Sequence, residues 1–197
     1  MKKISLEPRY VWIVSVSFLA GFLAGIMTAN VLGMEYLSRA GILSDYFVRQ
    51  YKYVEIDAVN LFFYILEKRM KWVLLLWVLG YTVVGFPSAV AFIAGLGFSA
   101  GTLLSVAVLK MGLQGIFFCV AAIFPQGLIY APAWISFIYF IYKKSMFRMK
   151  MGRVLTGRNW DWNYVVIFFL MSLLIIAGIF LESHLNPWIL KQFLKIF

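Results

Sequence analysis

The stretch from Gly115 to Tyr142 reads GIFFCVAAIFPQGLIYAPAWISFIYFIY and contains no charged residue. An uncharged run of this length is typical of a membrane-embedded segment. Pro125 and Pro132 interrupt it, and each removes a backbone N–H that a helix would use. The carbonyls left free need donors in hydrocarbon, and the amide of Gln126 offers two of them. We therefore predict a broken membrane span, with Gly127 allowing another backbone to approach.

The composition of the whole chain agrees with this interpretation. Of the 197 residues, 63% are hydrophobic and 13% are charged, which leaves no room for a sizeable soluble domain. We predict a single all-α integral membrane domain over residues 1–197. The net charge of +10 would indicate nucleic-acid binding in a soluble protein, but here basic loops and anionic lipid explain it. The expected environment is the lipid bilayer, and no nucleic-acid partner is expected.

Uncharged runs divide the chain into five expected membrane spans. The first run is too long for the apolar core of a cleaved signal peptide, so we expect it to remain in the mature protein. A tight turn is expected at Gly85-Phe86-Pro87-Ser88, between the second and third spans. The five expected spans cover residues 10–33, 72–86, 89–109, 115–142 and 162–182.

Two amphipathic helices are expected beside these spans. Between Ser44 and Met70, apolar residues recur every three or four positions, and Ser44 or Asp45 is a candidate N-cap. Two interpretations stay open: the helix lies on the membrane surface, or its stripe pairs with another helix, as in a homodimer. Near the C-terminus, Asn186 is expected to cap a short interfacial helix that begins at Pro187. The apolar stripe consists of Phe47, Tyr51, Val54, Ala58, Leu61 and Ile65.

Small residues mark two surfaces that favour close helix packing. Gly21 and Gly25 form a GxxxG step in the first span, and Gly97 and Gly101 lie on a smooth side of the third span. Only residues 110–114 connect the third span to the fourth, so the two are expected to be neighbours. Our hypothesis is that the glycine face of the third span packs against the broken fourth span.

Basic residues predict the orientation. The densest group of Lys and Arg residues lies between Lys143 and Arg158, and such loops usually face the cytoplasm. We therefore expect this loop and the N-terminus in the cytoplasm. With five spans, the C-terminus is then expected outside.

The sequence contains no pattern that indicates catalysis or cofactor binding. One histidine and one cysteine, Cys119, cannot form a His/Cys metal site within one chain. Spans one to four contain no Asp or Glu, and a Gly-rich phosphate loop is missing. Glu182 and His184 stand at the end of the fifth span, where a pair of this kind is more often structural than catalytic. We expect no enzyme activity, no metal and no cofactor. A small transporter or permease subunit is the alternative, because transporters often contain broken helices.

Three segments resemble one known family. They are LLWVLGYTVVGFPSAVAFIAGLGFSAGTL at Leu75–Leu103, FPQGLIYAPA at Phe124–Ala133 and LESHLNPW at Leu181–Trp188. In this order and at these spacings they resemble the stage II sporulation protein M family, from about Leu61 onward. The sequence departs at Gln126-Gly127, where family members often have Asn after Pro-Gln or His before Gly.

The resemblance implies a bacterial multi-pass membrane protein without catalytic residues. It implies a role in engulfment, when the mother-cell membrane migrates around the forespore. The implied activity is that of a membrane scaffold in the septal or engulfing membrane. Its implied partners are stage II sporulation proteins P and D, which cleave septal peptidoglycan. The candidate structural or interaction residues are Gly97, Gly101, Pro125, Gln126, Gly127, Pro132, Glu182, Asn186 and Pro187.

Overall fold

The computed structural model describes residues 7–39, 57–124, 126–151 and 162–196, and the secondary structure within these ranges is helical. The predicted all-α class is confirmed for this part of the chain. The described helices are α1 Pro8–Arg39, α2 Ala58–Gly80, α3 Gly85–Met111, α4 Gln114–Ile123, α5 Gln126–Met151 and α6 Trp162–Ile196.

Three of these helices are long and apolar enough to cross a membrane: α1 over Pro8–Gly33, α3 over Gly85–Met111 and α6 over Trp162–Gln192. Helices α4 and α5 pass the same test together as a pair bent by 63°, and they add a fourth crossing if the pair is one span. Helix α2 is outside this set because it carries Glu67, Lys68, Arg69 and Lys71 near its middle. Length and composition therefore account for up to four crossings among the described residues.

Helix α2 joins two elements that the sequence separated. It runs unbroken from Ala58 to Gly80, across the boundary predicted between the amphipathic helix and the second span. Asp57 caps it, because its carboxylate accepts from the backbone N–H groups of Val59 at 2.9 Å and Asn60 at 3.3 Å. The predicted caps Ser44 and Asp45 lie outside the described residues.

The predicted apolar stripe turns toward other helices of the same chain. Ile65 belongs to the main core and Leu61 packs against that core. For the described part of the stripe, a dimer seam is therefore wrong, whereas its position relative to the membrane stays a prediction. Phe47, Tyr51 and Val54 lie outside the described residues.

The turn between α2 and α3 lies at residues 81–84, so the boundary predicted at Gly85–Ser88 is wrong. Pro87 falls in the first turn of α3. Proline is tolerated there because the N–H that it lacks has no partner within the helix. The third helix accordingly begins at Gly85 rather than at residue 89.

Helix α6 continues through Pro187 to Ile196, so the separate C-terminal helix predicted after Asn186 is wrong. The part of α6 beyond the proline is held by packing. Leu190 contacts a small core formed by α1, α3 and α4, which includes Ala29, Phe118 and the buried Cys119. Contacts with neighbouring helices can hold a helix across a proline that would end it in isolation.

Helices α1 and α3 run parallel to each other. The Thr102 hydroxyl lies 3.4 Å from the Gly25 carbonyl, and Asn30 Nδ2 lies 3.1 Å from Ser105 Oγ, so residue numbers rise together along the pair. Since only four residues separate the end of α2 from the start of α3, α2 returns the chain from the level where α1 ends to the level where α1 starts.

The remaining helices alternate in direction. Tyr130 of α5 pairs with Glu182 of α6, whereas Lys144 lies over the Tyr164 ring at 5.8 Å, so α5 and α6 are antiparallel. Helices α1, α3 and α6 thus run one way, and α2 and α5 run the other. We name the two ends of the bundle by their residues. The Ser145 end holds Glu7, Val83, Ser145 and Trp162, and the Glu182 end holds Asn30, Ala58, Met111, Gln126 and Glu182.

The main core lies between α2, α3, α5 and α6, with Leu76, Phe137, Ile138, Tyr139, Ile175 and Ile179 fully buried. At the Ser145 end, the buried hydroxyl of Ser145 accepts from the Phe86 N–H at 3.2 Å and donates to the Val83 carbonyl at 3.0 Å. This serine satisfies an N–H in the first turn of α3, which has no partner within its own helix.

Candidate functional site

The glycine face of α3 packs against α1. A Cβ atom on Gly97 would overlap the carbonyl oxygen of Phe18, and one on Gly101 would overlap that of Phe22. Reciprocally, a Cβ on Gly21 or Gly25 would overlap backbone atoms of α3. The predicted partner of this face, the broken fourth span, is therefore wrong. The two glycine steps fit each other because each lets the opposite backbone approach closely.

The broken span contacts α3 through other residues. Gly115, at the start of α4, lies against the backbone of Ala107. Farther along, the Trp134 ring of α5 lies 4.7 Å from the Phe92 ring of α3, between ring centroids. The predicted neighbours are therefore in contact, but aromatic packing replaces the glycine face.

The break itself lies between Ile123 and Gln126. Phe124 has extended backbone angles, φ −84° and ψ 136°, as residues before proline prefer. Pro125 lies outside the described residues. A Cβ on Gly127 would meet Cγ2 of Ile123 at 2.8 Å, so this glycine allows the last turn of α4 to lie close to α5.

Gln126 occupies the first position of α5 and is buried, with 6% of its surface exposed. Its Nε2 donates to the carbonyl of Ala122. In a continuous helix that carbonyl would accept from the backbone N–H of residue 126. The side chain of Gln126 therefore supplies a donor at the interruption.

Pro132 lies inside α5, which continues through it, so the second predicted break is wrong. The proline is exposed, while its neighbours Tyr130, Ala133 and Trp134 are buried against other helices. Packing on the opposite side of α5 allows the helix to continue through Pro132.

A polar cluster joins three helices near the Glu182 end. Arg69 Nη2 of α2 lies 3.1 and 3.2 Å from the two carboxylate oxygens of Glu182 of α6. The Tyr130 hydroxyl of α5 donates to the same carboxylate at 2.6 Å. The guanidinium of Arg69 also lies 4.8 Å from the centre of the Tyr130 ring. We call Arg69, Tyr130 and Glu182 the three-helix clamp.

Sequence analysis found Glu182 but neither of its partners. Arg69 was assigned to a charged amphipathic segment, and Tyr130 to an apolar run. Glu182 itself indicated that such partners exist, because a carboxylate within a membrane helix needs a cationic partner or a hydrogen-bond donor. Glu182 and His184, which could pair by their position in the sequence, point to different sides because they are two residues apart on a helix. His184 instead contacts Ser183 at 2.8 Å and stacks on Phe180.

Two acceptor oxygens next to the clamp have no hydrogen-bond donor among the described residues. They are Oε1 of Gln126 and Oδ1 of Asn186, and both are buried. Gln126 precedes Tyr130 by one turn of α5, and Asn186 follows Glu182 by one turn of α6, so both lie beyond the clamp toward the same end. This arrangement is able to accept hydrogen bonds from a donor that reaches the Glu182 end. Pro187 follows Asn186 and removes one backbone donor there.

The polar residues do not make a metal centre in the part of the chain described. Within those ranges, no group of three or more His, Cys, Asp and Glu side chains is placed to hold an ion. The cluster is a set of charge-assisted contacts between helices, and its chemical capacity is to bind and orient hydrogen-bonding groups.

A family model described as stage II sporulation protein M matches residues 14–185. The match includes both glycine faces, the broken span and all three residues of the clamp. No curated protein and no solved structure matches the chain.

Proposed function

This chain belongs to the stage II sporulation protein M family, and from that membership we propose that it is a non-enzymatic membrane scaffold in endospore formation. The proposed role is to recruit the peptidoglycan hydrolases, stage II sporulation proteins P and D, to the septal and engulfing membrane. The observation that carries the proposal is the family match over most of the chain. With a single histidine and a single cysteine in the sequence, we assign the hydrolytic chemistry to the partners.

The proposed scaffold crosses the membrane five times. The direction of α2 supports this, because it carries the chain from the Glu182 end to the Ser145 end. Its 23 residues correspond to about 34 Å of helix, close to the ~30 Å hydrocarbon core. Pairing of Arg69 with Glu182 and of Lys71 with Glu67 reduces the cost of charges at this depth.

In the proposed orientation the Ser145 end faces the cytoplasm. The basic residues between Lys143 and Arg158 support this side, together with Lys2, Lys3 and Arg9 of the N-terminus. The Glu182 end then faces outward, where septal peptidoglycan and its hydrolases lie. We propose that the clamp holds this outer end in shape, and that Gln126 and Asn186 offer acceptors to a partner.

Affinity capture from sporulating cells tests the scaffold role. A tagged chain should enrich proteins P and D, detected with specific antibodies, over an equally abundant tagged multi-pass membrane protein of another family. Gln126→Leu should reduce the enrichment at equal abundance, whereas Cys119→Ser, a nearly isosteric change at a buried thiol, should not. If neither hydrolase is enriched, the recruitment proposal is wrong.

The second candidate is a small transporter or permease subunit. It is favoured by the broken pair α4–α5 with a buried, unpartnered oxygen of Gln126 at the interruption, a position that binds substrates or ions in many transporters. The two candidates differ in the capture experiment. Loss of spores in Gln126→Leu with normal capture of both hydrolases would favour transport over scaffolding.

A further inference from the structure

The outward side of α2 carries a regular row of exposed residues. Their spacing alternates between four and three, which is the spacing of a helix-pairing seam. The row differs from the inward-facing stripe of Ala58, Leu61 and Ile65, and it lies on the other side of the helix. We call it the outer seam, and it consists of Asn60, Tyr64, Glu67, Lys71, Leu74 and Val78, all of them exposed.

Two charged residues lie at the middle of the outer seam. Glu67 and Lys71 form an ion pair one turn apart, and their side chains are 62% and 65% exposed. Along the helix they lie roughly 20 and 14 Å from Gly80, at the Ser145 end. If α2 crosses the membrane, these charges lie within the hydrocarbon and face away from the bundle.

Such a position requires cover by another surface. Charged residues inside a membrane almost always face protein or a water-filled cavity, because exposure to lipid is costly. The seam residues on either side, Tyr64, Leu74 and Val78, are apolar or aromatic and 60%, 47% and 56% exposed. The seam therefore combines an apolar contact surface with a central charge pair.

We propose that the outer seam of α2 is the interface between two copies of this chain. The two copies pack α2 against α2 in parallel, around a two-fold axis along the membrane normal. The argument for a second copy is charge complementarity. Each copy brings one Glu67 and one Lys71 to the seam, so these four charges balance, while Lys68, with its Nζ 5.6 Å from the centre of the Tyr64 ring, flanks the seam. In heptad packing, Glu67 of one copy lies beside Lys71 of the second copy, one layer away.

This inference rests on the five-span arrangement proposed above, but not on recruitment of hydrolases. It also differs from the dimer interpretation of the sequence, because the apolar stripe considered there is buried inside the chain. If an anionic lipid or a different membrane protein covers the seam instead, the cross-linking experiment below should give no dimer band.

Disulfide cross-linking in native membranes tests the interface. In a Cys119→Ser background, Leu74→Cys places a single cysteine on the seam. Leu173→Cys is the matched control, because it is 69% exposed on α6 at a similar level of the bundle. The proposal expects an oxidised dimer band for Leu74→Cys and none for Leu173→Cys. Equal bands, or no band in either variant, would overturn it.

Charge exchange between two copies gives a second readout. Glu67→Lys makes the seam wholly positive and Lys71→Glu makes it wholly negative, so each variant alone should lose the dimer band. Co-expressed and differently tagged, the two variants should recover it, because their charges are complementary. A defect within one helix would not be repaired by the other copy. Absence of recovery, with both variants present in the membrane at normal levels, would also overturn the proposal.

Reporter fusions separate a failure of the dimer from a failure of the topology. A fusion in the segment between α1 and α2 should report the same side as the C-terminus if α2 crosses the membrane. If the fusions agree with five spans and cross-linking fails, only the dimer is wrong. If the fusions disagree, the five-span arrangement on which the dimer rests is wrong as well.

Discussion

At the scale of single residues, Glu182 connects three helices of the described bundle. It holds α2 through Arg69 and α5 through Tyr130, while only 19% of its own side chain is exposed. A carboxylate in this position is stabilising only while its partners remain. Removal of one member of the clamp is therefore more harmful than removal of the pair.

We expect Glu182→Leu and Arg69→Met to destabilise the protein individually, and the double variant to lose less than the sum. Each single change leaves an uncompensated polar group between helices. The coupling energy should be about 0.5–3 kcal/mol, the range for residues in direct contact. Unfolding in mild detergent with added denaturant measures it. Additive losses would show that the ion pair contributes nothing.

We expect Gln126→Leu to lower stability without changing topology. The change removes the donor to the Ala122 carbonyl, a contact worth about 0.6–2 kcal/mol between groups in a membrane. Gln192→Leu is the control, since Gln192 is exposed near the end of α6. Similar thermal midpoints for the two variants would mean that the hydrogen bond at the break has no energetic role.

At the scale of elements, α1 and α3 show what the sequence can and cannot predict. Uncharged runs predicted the helices, and glycine spacing predicted both close-packing faces. The partner predicted for the glycine face of α3 was wrong because a short connection favoured the broken span, whereas shape complementarity joined α3 to α1, with Asn30 and Ser105 75 residues apart. Shape matching between distant helices leaves no local signal.

Proline gave the other errors at this scale. Pro87, Pro132 and Pro187 each predicted a boundary or a break from local preference alone. In the structure one lies in a permissive first turn and two lie in helices held by neighbours. Local rules fail where contacts with other elements contribute more than the cost of one missing hydrogen bond.

We expect Gly97→Ala to destabilise the α1–α3 pair and Gly95→Ala to be neutral or stabilising. A Cβ at position 97 would collide with the backbone of α1, whereas one at position 95 meets open space. Overpacking of this kind costs about 1–3 kcal/mol, while Gly→Ala in a helix gains up to about 1 kcal/mol. Resistance to unfolding by sodium dodecyl sulfate distinguishes the two. Gly80 is a less suitable control than Gly95, because a Cβ there would overlap the Tyr164 hydroxyl.

At the scale of the whole molecule, the helix directions support the proposed topology. Helices α1, α3 and α6 run one way and α2 and α5 run the other, which agrees with the proposal of five passes. The sequence predicts five spans from its uncharged runs, but the compensation of Arg69 by Glu182 is visible only in three dimensions.

We expect reporter fusions after Arg158 and after Phe197 to report opposite compartments, with Arg158 in the cytoplasm. A fusion at Ser145 is less suitable, because that hydroxyl is buried and bonded to the α2–α3 turn. A periplasmic-type reporter and a cytoplasmic reporter at each site give reciprocal signals. The same compartment at both sites would contradict five spans.

The parallel pairing of α1 with α3 has a consequence for biosynthesis. Ribosomes add about 5–20 residues per second, so the 75 residues that separate Asn30 from Ser105 require roughly 4–15 s. During that interval α1 has already left the ribosome while α3 is still being translated. The nascent chain must therefore keep the bare glycine surface of α1 from wrong partners, which makes an insertase or membrane chaperone most useful at this early stage.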